Sequence, residues 1–190
     1  MKRRKALIGI AALAGIAAAI PGIKWGLLYS EPDLDSLDRS KDLLTSIADT
    51  IIPGTDSPAA SECNVPDFII NMVKNCSDVP TQNKFIDGLS KLASYTTNKY
   101  SKSFTECSEE ERVAVLTHFE NSDRPWSGLP GKVQKRYLGT PFFPTLKRYC
   151  AIGYFSSEGG ATKALRYSHV PSKYNACEPY TPGQKAWATT

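Results

Sequence analysis

Apolar residues recur along most of this chain at helical spacing. Leu43, Leu44, Ile47, Ala48 and Ile51 form one stripe, and Pro53-Gly54 brings it to an end. A second helix opens with Pro66 in its first turn and Asp67 at its positive end, and Phe68, Ile69, Met72 and Val73 form its buried side. From Thr81 a third stripe runs through Phe85, Leu89 and Leu92, with Ile86 and Ala93 beside it. Gly88 interrupts that stripe without a turn signal, which predicts close approach of another helix. Ser108-Glu109-Glu110-Glu111 is a capping box, and Val113, Ala114, Leu116 and Phe119 continue a fourth helix from it. Residues 122 to 131, rich in Pro and Gly, read as a loop.

The last helix carries the longest apolar face. Thr140 is a candidate cap, Pro141 suits the first turn, and Phe142, Leu146, Tyr149 and Gly153 fall on one line. Ser156-Ser157-Glu158-Gly159-Gly160 should stop it, the paired glycines supplying backbone freedom. A short helical turn near Thr162 to Leu165 follows. No segment sustains two-residue alternation in strand-forming residues, so the expected class is all-α. The pattern predicts an irregular helical domain of about five to six helices over residues 30–163. Beyond it, residues 164–190 form an extended tail in which Tyr167, Tyr174, Tyr180 and Trp187 interleave with Pro171, Pro179 and Pro182. Such a tail cannot build its own core, yet it holds too many large aromatic side chains to stand free in water.

Composition changes this picture little. With 41% hydrophobic and 22% charged residues in 190, the chain suits one globular domain with a sizeable core. Charge is more telling. Lys2, Arg3, Arg4 and Lys5 are four of the 23 basic residues, and the remaining 19 equal the 19 acidic ones. The folded part is therefore neutral, which excludes a nucleic-acid binder that works by counterion release. The basic head precedes an apolar run from Ala6 to Ile20, the layout of an export signal over residues 1–29. Adjacent Arg3 and Arg4 match the twin-arginine type, and the weak hydrophobicity of the Ala/Gly-rich run suits that route. An ordinary secretory signal, or a retained anchor in contact with the membrane, is the alternative. Five cysteines in an exported chain can oxidise, and an odd number leaves at least one free. Cys63 and Cys76 bracket the second helix and are candidate partners.

Several pieces of the chain have a specific order and spacing. They are Gly153-Tyr154-Phe155-Ser156-Ser157-Glu158, Ala164-Leu165-Arg166-Tyr167, Val170-Pro171, Tyr174, Cys177-Glu178-Pro179-Tyr180 and Gly183 to Ala188. Together with Ala48-Asp49-Thr50-Ile51-Ile52-Pro53-Gly54-Thr55-Asp56-Ser57-Pro58, they resemble the gluconate 2-dehydrogenase subunit 3 family. This is the small (gamma) subunit of membrane-bound, flavin-dependent sugar and sugar-acid dehydrogenases. The resemblance spans residues 40 to 188 and is weak between 77 and 139. It implies a non-catalytic subunit that binds a large GMC-type catalytic subunit carrying FAD, assists its maturation and export, and stays bound in the periplasm. A cytochrome c subunit joins many such complexes. Within the matched tail, Cys177 becomes a candidate for a bridge that anchors it.

The residues themselves offer no chemistry. There is no glycine-rich dinucleotide turn after a strand, no phosphate loop and no nucleophile elbow. The cysteine spacings fit neither zinc nor iron–sulfur ligation. Glu109, Glu110 and Glu111 are explained by the helix start they occupy. His118 reads as helix surface, and His169 as a member of the aromatic tail. No cofactor or metal is therefore expected in this chain, and what remains is a surface for another protein. Arg166, Tyr167, His169, Tyr174, Tyr180 and Trp187 are the candidate partner-binding residues, with the aromatics as anchors and Arg166 as a bidentate contact to a carboxylate. Packing of the tail back onto its own helices is the competing arrangement. Two other functions stay open: a stand-alone exported helical binding protein, and a thiol enzyme using Cys150 or Cys177.

Overall fold

The computed structural model describes residues 26, 28–124, 139–167, 177 and 179–188. Helices α1 (Asp35–Arg39), α2 (Lys41–Ile51), α3 (Val65–Cys76), α4 (Val79–Tyr100), α5 (Glu109–Ser122) and α6 (Phe142–Ser156) build the domain. Short 3₁₀ turns precede α3 and α5, and a π turn spans Gly160–Ala164. The all-α reading holds: no strand occurs among the described residues.

The α6 helix is the hub. It packs most extensively on α3, then on α4, and also touches α2 and α5. Its expected stripe is the reason: Phe142, Leu146, Tyr149 and Gly153 are all buried, with Phe143, Cys150 and Tyr154 beside them. Leu44, Ile47, Ile69, Val73, Phe85, Leu89, Leu92, Val115 and Phe119 complete one continuous core. Burying each such side chain stabilises the fold by roughly 1.5–3 kcal/mol.

Polar groups inside are matched. Gln82 Nε2 donates to the Val73 and Lys74 carbonyls, 3.0 and 2.9 Å away, and so satisfies the end of α3 from the first turns of α4. Tyr154 donates its hydroxyl to the Pro58 carbonyl at 2.8 Å, tying α6 to the loop after α2. Asn83 Nδ2 reaches the carbonyls of Leu28 and Ser30 at 2.9 and 2.8 Å, so the chain entering the domain is pinned to α4.

Several sequence expectations need correction. Thr140 does not cap α6. The helix begins after Pro141, and Asp123, at the end of α5, accepts the Phe143 N–H at 3.1 Å. A carboxylate there meets the positive end of the helix dipole, which a threonine hydroxyl would do less well. Val113 is exposed, and Val115 takes the buried place on α5. Ile70 is buried on α3 although the expected stripe omitted it, whereas Phe68 and Met72 are only partly covered. Gly159 has helical angles, φ −62° and ψ −46°, so the paired glycines are not used for left-handed freedom. They permit contact instead: a Cβ on Gly160 would stand 1.9 Å from the Tyr154 carbonyl oxygen.

The proposed Cys63–Cys76 bridge is also overturned. All five cysteines are free. Cys76 closes the 12-residue α3 and Cys63 stands just ahead of its start, so the helix holds them about 17 Å apart at the rise of an α-helix, against the roughly 7 Å a disulfide tolerates. Cys177, expected to anchor the tail by a bridge, is likewise a free, exposed thiol.

Candidate partner-binding surface

The C-terminal third leaves the core through an ordered exit. The Ser157 hydroxyl donates to the Tyr154 carbonyl at 2.6 Å and accepts the Gly160 N–H at 3.0 Å. The π turn Gly160–Ala164 then ends with Leu165 N–H donating to the Gly160 carbonyl at 3.2 Å. Ala164 packs at the edge of the core. From Arg166 onward the described residues leave the helices.

Arg166 and Trp187 meet there. Arg166 N–H donates to the Ala186 carbonyl at 2.7 Å, and Ala188 N–H donates to the Arg166 carbonyl at 3.0 Å, forming an isolated parallel bridge. The Arg166 guanidinium lies over the Trp187 ring, 4.2 Å from its centroid. Lys185 Nζ donates to the Lys163 carbonyl next to this pair. Ahead of it, Gln184 N–H donates to the Thr181 carbonyl at 3.0 Å, closing a turn with Pro182 and Gly183 at its centre. Gly183 has φ +83°, the left-handed value a type II turn demands at that place.

Around this clasp the large side chains face solvent. Tyr167 is 48% exposed, Tyr180 76% and Trp187 47%. The α6 helix adds Ile152 and Phe155, also exposed. Sequence reading missed these two as surface candidates, although both fall off the buried stripe of Phe142, Leu146, Tyr149 and Gly153. Exposed aromatic and aliphatic groups gathered in one stretch of chain are what a partner surface supplies. Of the expected partner residues, Arg166 and Trp187 are brought together, and Tyr167 and Tyr180 stand exposed near them in sequence. His169 and Tyr174, like Arg3 and Arg4 of the export signal, lie outside the described residues.

Among the described residues no group of three or more His, Cys, Asp or Glu side chains is placed to hold a metal. Cys150 is buried in the core, and burial pushes its thiol up to about 12, far from a reactive thiolate. His118 is stacked flat on Tyr95, ring centroids 4.3 Å apart. A groove of about 280 Å³ lies beside Lys84, Asp87, Lys91, Asp123 and Arg124. Burial lowers the Lys84 pKa, partly offset by Asp123 and then Asp78. Its neighbours are already committed, Lys91 to Asp87 and Asp123 to the start of α6. Among the described residues, none of the buried helical glycines opens onto a phosphate cradle: Gly88, Gly153 and Gly160 face Phe142, Phe68 and the Tyr154 carbonyl.

Comparison with known proteins supplies the deciding observation. The model of the family described as gluconate 2-dehydrogenase subunit 3 matches residues 38–171, more than half of the chain. The chain belongs to this family. Its name makes it a subunit of a dehydrogenase complex. No curated protein and no solved structure matches the chain. The family match covers every described helix from α2 to α6, the π turn, Arg166 and Tyr167. It ends before Cys177, Tyr180 and Trp187, whereas the sequence resemblance extended to residue 188. Among the described residues, no helix is long and apolar enough to cross a membrane.

Proposed function

We propose that this chain is the non-catalytic small subunit of a flavin-dependent sugar or sugar-acid dehydrogenase complex. It binds the large GMC-type catalytic subunit, which carries the FAD, and assists its maturation. Its N-terminal segment, with Arg3 and Arg4, takes both chains across the membrane by the twin-arginine route. The assembled complex works in the periplasm, where a cytochrome c subunit can receive the electrons. The observation that carries this reading is the family match over residues 38–171.

Physical reasoning supports each part. A flavin is inserted before export, so its protein crosses already folded, and a signal on a bound companion moves both at once. An interface that survives the passage has to be large and apolar. Tyr167, Tyr180 and Trp187 offer exposed apolar area in the part of the chain that lacks a core of its own, and Ile152 and Phe155 add to it from the outer side of α6. Aromatic anchors of this kind dominate interface energies.

Co-expression of the tagged chain with a large GMC-type flavoprotein from the same genome tests the reading. The expected result is a co-purifying complex with flavin absorbance and sugar-oxidising activity, neither of which the isolated chain shows. Replacing Arg3 and Arg4 together by Lys should leave both subunits in the cytoplasm. Export of the flavoprotein in a strain lacking this chain, or sugar oxidation by the chain alone, would refute the proposal.

A further inference from the structure

The family match stops at residue 171, so what its members share as subunits of a complex has to be encoded within residues 38–171. Tyr180 and Trp187 lie beyond that limit. Among the described residues inside it, the large apolar side chains left in solvent are Val79, Val113, Ile152, Phe155 and Tyr167. Val79 and Val113 are single residues on α4 and α5. Ile152 and Phe155, 42% and 46% exposed, stand three residues apart on α6 and so share a face. We propose that this outer face of α6, together with Arg148, is the main contact through which the catalytic subunit is held. The proposal deepens the function given above and rests on it for the identity of the partner.

The face is open because the rest of the helix is committed. Leu146, Tyr149, Cys150, Gly153 and Tyr154 turn to the core, which leaves positions 148, 152 and 155 about one turn apart on the other side. As the hub, α6 is held by α2, α3, α4 and α5, so a partner meets side chains on a backbone that binding does not have to order. Phe68 of α3, only half-buried, packs over Gly153 beside this face; a Cβ on that glycine would stand 2.6 Å from Phe68 Cδ1. Charge says what chemistry the partner brings. Lys147 is paired with Glu120 of α5 at 2.7 Å. Arg148 forms no ion pair among the described residues, and its guanidinium lies 5.3 Å from the centroid of the Tyr149 ring. A cation at the edge of an apolar face, one turn from Ile152, is matched by a carboxylate across the interface. The catalytic subunit is therefore expected to present an apolar patch bordered by an Asp or Glu.

The test uses the full chain and the flavoprotein of the co-expression experiment, with circular dichroism to show that each variant is as helical as the wild type. Phe155→Ala should weaken binding about thirtyfold and Ile152→Ala about fivefold, the range of interface hot spots. Arg148→Ala should slow association at low salt and flatten its salt dependence, and Arg148→Lys, which keeps the charge, should restore most of both. Val113→Ala, on the exposed side of α5, should change neither. Hydroxyl-radical labelling should modify Phe155 readily in the isolated chain, and the complex should protect it. Full affinity in the Ile152→Ala, Phe155→Ala double variant would overturn the proposal. Protection of Phe155 already in the isolated chain would overturn it too, since this chain or a second copy would then cover the face. If the wild type binds no flavoprotein, the function proposed above falls and this contact with it; if the wild type and the α6 variants bind alike, only this contact falls.

Discussion

Phe142 fills the space that a side chain on Gly88 would need: a Cβ there would stand 2.1 Å from Phe142 Cγ. The ring packs edge-on against Phe85 and Phe119, at centroid distances of 5.3 and 6.2 Å. The contact seats the first turn of α6 on the middle of α4. Gly88→Ala therefore opposes two effects. Alanine favours the helix by about 1 kcal/mol, but overpacking a core costs roughly 1–3 kcal/mol. Ring atoms anchored at the helix backbone cannot retreat cheaply, so the packing cost should win and urea denaturation should show a net loss. Phe142→Ala should cost about 3–5 kcal/mol, and the double variant less than the sum, because the new methyl occupies part of the cavity.

Much of this was legible in the sequence, and what was legible was local. Gly88 stood inside an apolar stripe without turn residues around it, which left close approach as the physical explanation. Ser108 and Glu111 announced their capping box through spacing alone, and Phe142, Leu146, Tyr149 and Gly153 announced their shared face. What stayed hidden required contacts between distant residues. Asp123 caps α6 from the far side of a loop, and no periodicity links it to Phe143. Gly159 and Gly160 looked like conformational hinges, whereas the carbonyl of Tyr154 and the sulfur of Cys63 set the need for them. The meeting of Arg166 and Trp187 left no pattern at all, since a single cation–π pair has no repeat to read.

The tie between Tyr154 and Pro58 gives a second test. Tyr154 is only 2% exposed, and its hydroxyl satisfies a carbonyl in the loop that follows α2. Tyr154→Phe keeps the ring and removes the donor. Leaving a partly buried carbonyl without its partner should cost about 1–2 kcal/mol in thermal or urea denaturation. The loss should also raise amide exchange over residues 59–61, because that hydrogen bond holds the loop to α6.

The start of α5 gives a pH-dependent one. Ser108 Oγ accepts the Glu111 N–H at 3.3 Å, Glu111 accepts the Ser108 N–H at 2.8 Å, and the Ser108 hydroxyl donates to Glu110 at 2.9 Å. The Glu110 carboxyl is held below the usual range, first by its own backbone N–H and then by that hydroxyl. A carboxylate depressed in the folded state adds stability above its unfolded pKa and loses it as pH falls through the folded one. Ser108→Ala should cost about 1 kcal/mol near neutral pH. The gap from wild type should narrow as pH falls below about 4.3, the ordinary glutamate value, and on through the lowered folded value. Denaturation of both proteins across that interval reads the effect, and a gap that widens on acidification would contradict it.

The free cysteines allow the fold to be read by chemistry. Cys76 and Cys177 are exposed, Cys63 is half-buried, and Cys107 and Cys150 are buried. Burial raises the Cys107 thiol, with the Glu111 carboxylate adding to it, and pushes Cys150 up to about 12. At about pH 8 a thiol near 12 is thiolate about once in ten thousand molecules, and burial also keeps the reagent away. Iodoacetamide should therefore alkylate Cys76 and Cys177 quickly and leave Cys150 untouched, as mass spectrometry would show. Denaturation without reductant should release all five thiols, and a missing pair would mean a disulfide. Since Cys150 sits on α6 against the core, its labelling requires that helix to come away. Gly88→Ala should then speed labelling at Cys150 and leave the rate at Cys177 unchanged, because the strain it introduces lies under α6 and not in the tail.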